Sequence, residues 1–282
     1  MYFGQLIVVG LLTGAVLSLV GVGFTLVLGV GRIANFAHGA LVGLGMYLGY
    51  ATSTFLGLNP YVALVPSIIL FGLLGWGISE LFEWRGRKIG DIGELLVGLS
   101  LLLLINGLLA FTFGTDARTI SNVDLGSVEI FGYLAPVTQL IAAGFTLVVA
   151  LAIFFFVRST RWGRALRAVS QNASAAGLQG IRVPIAQRAA VIVSIMLAGV
   201  AGMIISPFSV MTPAIGGAFL INAFAIVIIG GIGNTLGAVG AGLGLGVVSA
   251  LATGYLDSAW ASLAPLVIVL VMLLVRPLKV TV

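Results

Sequence analysis

The sequence predicts an all-α, polytopic bundle of transmembrane helices, and three observations carry that reading. Hydrophobic residues make up 60% of the 282 residues and charged residues only 7%, where a soluble domain carries about 25% charged residues. The mean hydropathy is +1.24, more than burial in one globular core accounts for. Apolar runs of about 20 residues, enough to cross roughly 30 Å of hydrocarbon, recur along the whole chain.

Taken in order, the runs lie near 6–30, 38–56, 61–82, 94–113, 136–157, 188–207, 218–232, 236–254 and 261–276. Nine spans are favoured, within a range of eight to ten. Segments 31–37 and 208–217 are candidate re-entrant stretches, and 218–232 is short for a full crossing. The first run has no Lys or Arg before Arg32 and continues from about Leu6 to Val30. A cleavable signal has a basic start and an apolar core of about 7–15 residues, so this run reads as a retained helix.

Charge sets the orientation. With the N-terminus outside and the C-terminus cytoplasmic, 12 of the 13 basic residues fall on inner loops or their margins. They are Arg32, Arg85, Arg87, Lys88, Arg158, Arg161, Arg164, Arg167, Arg182, Arg188, Arg276 and Lys279, and Arg118 alone falls outside. The reverse threading would violate the positive-inside rule. Asp116, Asp124, Glu129 and Asp257 then lie on outer loops. The net charge of +5 is therefore an orientation signal and not a nucleic-acid footprint. The chain holds no cysteine, which excludes a disulfide framework and a thiolate metal site.

One domain, 1–282, is expected, with two unlike loops. The outer loop, about 114–135, mixes both charges with Ser, Asn and Gly. The inner loop, about 158–187, carries no acidic residue and six basic ones when Arg188 at its margin is counted. Its pattern predicts an amphipathic helix from Arg164 to Ala176 that ends near Gly177 or Gly180, with Pro184 at a later boundary. Such a polar helical loop is a natural docking surface.

Glycine recurs at four-residue spacing: Gly10 and Gly14, Gly39 and Gly43, Gly45 and Gly49, Gly240 and Gly244, Gly242 and Gly246. These faces let helix backbones approach closely in lipid. Residues 24–45 and 225–246 resemble each other loosely, as apolar runs broken by Gly and Asn, which low complexity alone can produce.

Little else is ionisable within the spans. Glu80, Glu83, Asp91 and Glu94 cluster at one inner boundary and read as interface carboxylates near Arg85, Arg87 and Lys88. The single histidine, His38, cannot make a metal site by itself. Its plain reading is a cap or an interhelical hydrogen bond, although it could also serve as a pH switch. Asn35, His38 and Gly39 together break a long apolar region. Irregular backbone at membrane depth is tolerated where it lines a cavity or is buried in protein, so this segment is the leading candidate for a translocation pathway. Asn106, Gln139 and Asn222 read as interhelical hydrogen bonds, with Asn222 kept as a second pathway candidate because it precedes a Gly-broken stretch. The chain has no P-loop, no H-E-x-x-H and no G-x-S-x-G. Ser100 and Ser194 are available as nucleophiles, but His38 has no convincing partner in the sequence. Neither enzymatic activity nor a bound cofactor is expected.

Three stretches then point together: 21–50, 160–183 and 223–248. They resemble the LivH-type permease subunits of branched-chain amino-acid ATP-binding-cassette importers. The N-F-A-H-G core stands at Asn35, Phe36, Ala37, His38 and Gly39. The G-R-A-x-R-A-V-x-Q-N run stands at Gly163, Arg164, Ala165, Arg167, Ala168, Val169, Gln171 and Asn172, and the G-G-x-G run at Gly230, Gly231 and Gly233. One departure is Ala173, Ser174 and Ala175, where relatives often carry an acidic residue.

The resemblance implies a pore-forming permease of the prokaryotic cytoplasmic membrane. Its partners would be a second, LivM-like permease or a second copy, two cytoplasmic ATPases, and an extracytoplasmic binding protein. Asn35, Phe36, His38, Gly39 and Asn222 would belong to the substrate pathway, and Arg164, Arg167, Gln171, Asn172 and Gly180 to the ATPase-coupling loop. Urea and short-amide permeases share the family branch. The rivals from other classes are a self-sufficient carrier or channel and a structural scaffold.

Overall fold

In lipid no water satisfies a free backbone group, so each apolar run must close its own hydrogen bonds, and the helix does so within one segment. The computed structural model describes residues 2–83, 89–120, 125–130 and 132–275. Arg85, Arg87, Lys88, Asp124, Arg276 and Lys279 lie outside the described residues.

Every expected apolar run is helical. The first helix, α1 (Tyr2–Leu26), continues as a π-turn, Val27–Gly31. Next come α2 (His38–Leu56), a tight turn Pro60–Ala63, α3 (Leu64–Leu81) and α4 (Asp91–Phe113). Strands β1 (Ser127–Ile130) and β2 (Tyr133–Pro136) lead into α5 (Val137–Ser159). Two short helices, α6 (Arg161–Gln171) and α7 (Ala173–Leu178), precede α8 (Val183–Ile205). The chain closes with α9 (Gly216–Gly230), α10 (Thr235–Tyr255) and α11 (Ser258–Val275). Among the described residues, six helical segments are long and apolar enough to cross a membrane: Tyr2–Gly31, Pro60–Leu81, Ile92–Phe113, Val137–Ser159, Val183–Phe208 and Thr235–Tyr255. Gly216–Gly230 is apolar but shorter.

Glycine decides which helices touch. α1 and α10 run antiparallel, with Leu6 beside Gly254 at one end and Gly29 beside Gly233 at the other. A side chain added at Gly10 would strike the backbone at Val247, and one at Gly246 would strike Gly14. α2 and α8 run parallel, with Gly45 against the Gly199 carbonyl and Gly49 against Ser206. Four of the five spaced glycine pairs thus include a close approach, whereas Gly240 and Gly244 face open space.

Two irregular segments enter the bundle from opposite ends. Arg32 takes a left-handed conformation (φ 54) and turns the chain back, so that His38 reaches the level of Val20. That level is about 16 Å from Gly31 along α1 at 1.5 Å per residue. From the other end, Met211 exchanges two backbone hydrogen bonds of 2.9 Å with Arg118, and the chain then descends to Gly216, whose carbonyl meets Gly39.

Two expectations change. The outer loop holds an antiparallel ribbon, pairing Ser127 with Pro136 through Ile130 with Tyr133, which an all-α reading omitted. Gln5 of α1 extends it: its amide NH2 donates to the Leu134 carbonyl, and Leu134 N–H donates back to Gln5 Oε1 at 2.8 Å. The helix expected over 164–176 is two helices, broken at Asn172, whose extended backbone frees its side chain to accept from Ala175 N–H at 2.9 Å. Pro184 is the second residue of α8, in the first turn, where its missing N–H has no helical partner to lose.

Candidate translocation and coupling sites

The segment Asn35–Gly39 folds on itself. Asn35 Oδ1 accepts from Ala37 N–H at 3.0 Å, and His38 N–H donates to the Asn35 carbonyl at 3.1 Å, which together start α2. His38 is fully buried. Its Nε2 lies 3.1 Å from the Val20 carbonyl, so Nε2 carries the proton and donates. Nδ1 then accepts from Ser194 Oγ at 3.3 Å. The partner that the sequence does not reveal is therefore Ser194 of α8, and the histidine ties α2 to both α1 and α8. This Ser–His pair is sealed in the core, with no acidic residue joined to it among the hydrogen bonds of the described residues.

Around this junction sits an aromatic cluster. Phe24 lies 4.7 Å from Phe224 and 5.2 Å from His38 between ring centres, and Phe36 lies 5.7 Å from Phe224. Gly39 brings α2 directly onto Gly216 and Leu220 of α9. Phe36 and Gly39 thus meet one face of α9, while Asn35 holds the turn and His38 faces α1 and α8.

Asn222 lies apart from them, on another face of α9. It borders a cavity of about 700 Å³ between α1, α9, α10 and α11. Tyr2, Thr13, Ser249, Thr253 and Ser262 supply the other polar side chains, and Leu17 and Ile221 are among the apolar ones. No charged residue lines this cavity among the described residues. Asn35, Phe36, His38 and Gly39 do not line this cavity.

Asn106 and Gln139 do not form the interhelical hydrogen bonds expected of them: Asn106 Oδ1 and Gln139 Oε1 are buried without a partner among the described residues. For Asn106 the reason is position, since most of α4 is unburied and few helices lie within reach. Arg85, Arg87 and Lys88, expected beside Glu80 and Glu83, lie outside the described residues, but both carboxylates have a described partner. Arg188 of α8 bonds Glu80 at 2.8 Å and also holds Glu83.

At the end of the bundle that carries α6 and α7, polarity sorts by face. Leu166 and Val169 are buried while Arg164, Arg167 and Gln171 are exposed. The two arginines turn back onto the last carbonyls of α5: Arg164 donates to Ser159 O at 3.1 Å and Arg167 to Arg158 O at 3.3 Å. Cations are favoured there by the negative end of the α5 dipole. Thr160 caps α6 by accepting from Gly163 N–H at 2.9 Å. Gly180, at φ 82, makes the turn after α7 that leaves Leu178 89% exposed. Leu178 thus stands exposed on a stretch, 158–182, that carries five arginines and no carboxylate. Trp162 and Leu178 are the residues of this surface that sequence reading passed over, and their signal was an apolar side chain on the polar side of an amphipathic helix.

A family model described as the permease component of the branched-chain amino acid transport system matches residues 6–276. The high-affinity branched-chain amino acid transport system permease protein LivH of Salmonella typhimurium is 28% identical, over 98% of this chain and 94% of its own. The probable branched-chain amino acid transport permease protein LivH of Methanocaldococcus jannaschii is 27% identical, over 94% of this chain and 88% of its own. The ribose import permease protein RbsC of Haemophilus influenzae is 28% identical over 71% of this chain and 61% of its own. Among solved structures, PsaBC from Streptococcus pneumoniae in complex with Fab matches with a TM-score of 0.52 at 17% identity, over 98% of this chain and 92% of that one. At that identity the likeness concerns the fold alone.

Proposed function

We propose a function that proceeds from one premise: this chain belongs to the family of branched-chain amino acid transport permease components, whose model spans residues 6–276. It is the membrane permease subunit of an ATP-binding-cassette importer for branched-chain amino acids, seated in the cytoplasmic membrane. ATPase and binding-protein partners go with such a subunit. The full-length family match is the observation that carries the reading.

The finer assignments are ours. The α6–α7 end faces the cytoplasm, as its arginines indicate, and docks on the ATPases, which carry ATP hydrolysis. Arg164, Arg167, Gln171, Asn172 and Gly180 shape that contact. A binding protein delivers substrate at the end that carries the β1–β2 ribbon. The second permease is a LivM-like chain or a second copy of this one.

Substrate passes beside Asn222. The cavity there falls within the range of small-molecule sites, roughly 300–1,000 Å³. Its apolar wall suits an aliphatic side chain, and its hydroxyl and amide groups offer neutral partners to the ammonium and carboxylate. Neutral partners hold a charged group weakly, which suits a passage that must release what it takes in. Asn35, Phe36, His38 and Gly39 form the other side of the pathway machinery, with Phe36 and Gly39 gripping α9. The cycle alternates because ATP binding stabilises one arrangement of the bundle over the other, and only a differential affinity can shift such an equilibrium.

Uptake into proteoliposomes tests the reading. The chain is reconstituted with its co-purified partners, and labelled leucine is compared with urea, with and without ATP and the binding protein. Leucine uptake that needs both is expected. Urea uptake with the same requirements keeps the machinery and changes the substrate, and uptake by the chain alone without ATP replaces the permease with a self-sufficient carrier.

A further inference from the structure

The arrangement around the π-turn at Val27–Gly31 assigns it a role that rests on the coupling reading above: we propose that it is the lever joining α6 to α9, with Val30 as its positioning residue. A π-turn inserts one residue into the helical repeat and weakens the local ladder, and such turns concentrate at functional sites. Here the ladder ends with the N–H groups of Arg32 and Ile33 both directed to the Val27 carbonyl, the latter at 3.4 Å. Arg32 then adopts φ 54, the only positive φ of a non-glycine residue among the described residues. Side chains reach that region only at a cost, so a surrounding structure must hold it there.

The two sides of the lever are unlike. On one side, Val30 joins Leu166 and Val169 of α6 in a small buried cluster separate from the main core, completed by Ala176, Ala186 and Ala190. Val30 is the sole contribution of the α1–α2 region to the buried residues of that cluster. Next to it, Gly29 meets the backbone of Gly233, and a side chain at Gly233 would lie 3.8 Å from Ser170 of α6. On the other side, the chain leaving the π-turn becomes the Asn35–Gly39 segment, which holds α9 through Phe36 on Phe224 and Gly39 on Gly216. Movement of α6 therefore has a continuous packed route through Val30 to α9, and Asn222 rides on that helix. Packed elements of this kind shift between discrete arrangements and do not stretch.

The test uses the complete importer in proteoliposomes, with its ATPases and binding protein. Val30→Ala removes the contact with α6 but leaves the α6 surface intact. ATP hydrolysis is expected to continue while uptake per ATP hydrolysed falls about tenfold or more, within the usual span of coupling between sites. Because the chain has no cysteine, Ala34→Cys gives a single spin-label position beyond the lever. Its nucleotide-dependent spectral change, present in the chain carrying that substitution alone, is expected to vanish when Val30→Ala is added. If the added variant keeps both the uptake ratio and the spectral change, the lever is overturned. If Val30→Ala does not assemble, Val169→Ala cuts the same contact from the α6 side and is judged by the same two readouts. Should the unmutated importer take up substrate without ATP, the coupling reading fails first, and the lever with it.

Discussion

At the scale of single residues, glycine and histidine explain most of what the interior does. Gly246 carries no side chain because the backbone of Gly14 occupies the space that a Cβ would need. Gly244, two positions earlier on the same helix, has no heavy atom within 4 Å of that point. Gly246→Ala is therefore expected to cost about 1–3 kcal/mol through overpacking, whereas Gly244→Ala should stay within about 0.5 kcal/mol of the parent. Thermal unfolding in detergent compares the two, and equal losses would show that the α1–α10 contact does not set stability. The glycine spacing was visible in the sequence, and so was a hydrogen-bonding role for His38. The identity of the histidine's partners was not, because Val20 and Ser194 meet it only after three helices pack. Asn106 shows the converse: a polar residue in an apolar run reads as an interhelical bond, but α4 sits where few neighbours can supply one.

At the scale of elements, α6 is the one helix whose chemistry is stated by its own sequence. Its apolar and basic residues alternate at helical spacing, and the structure buries Leu166 and Val169 while exposing Arg164 and Arg167. Both arginines rest on the carbonyls that end α5. The double variant Arg164→Glu with Arg167→Glu reverses the charge of the docking surface without touching the buried face. We expect the chain to fold and reach the membrane, but to lose ATP-driven uptake because the ATPases no longer seat. Normal uptake by the double variant would sink the coupling assignment. The break at Asn172 was harder to read, since the same residues could have continued a helix. An asparagine that can cap the helix after it competes with the helix before it. The β1–β2 ribbon was illegible for a related reason. Its strands are four residues each, too short for a clear period of two, and part of its pairing comes from Gln5, more than a hundred residues away.

At the scale of the whole molecule, the charge pattern and the packing make one joint statement about direction. Arg158, Arg161, Arg164, Arg167 and Arg182 gather at the end of the bundle that holds α6 and α7, together with the lever at Val30 and the Arg188 pairs with Glu80 and Glu83. The ribbon, the Gln5 contacts and the Arg118–Met211 bridge gather at the opposite end. Moving that basic cluster across the bilayer during insertion is disfavoured, so the α6–α7 end is expected in the cytoplasm. The absence of cysteine makes this directly measurable. Leu178→Cys places a thiol at an 89% exposed position on α7, and Leu134→Cys places one at a 57% exposed position on the ribbon. A membrane-impermeant maleimide added to intact spheroplasts should label the ribbon thiol alone, and permeabilisation should then expose the thiol on α7. The reverse pattern would put the arginine-rich end outside, where no cytoplasmic ATPase can reach it. It would overturn the coupling surface, the lever and the direction of transport together, because all three depend on which end of the bundle meets ATP.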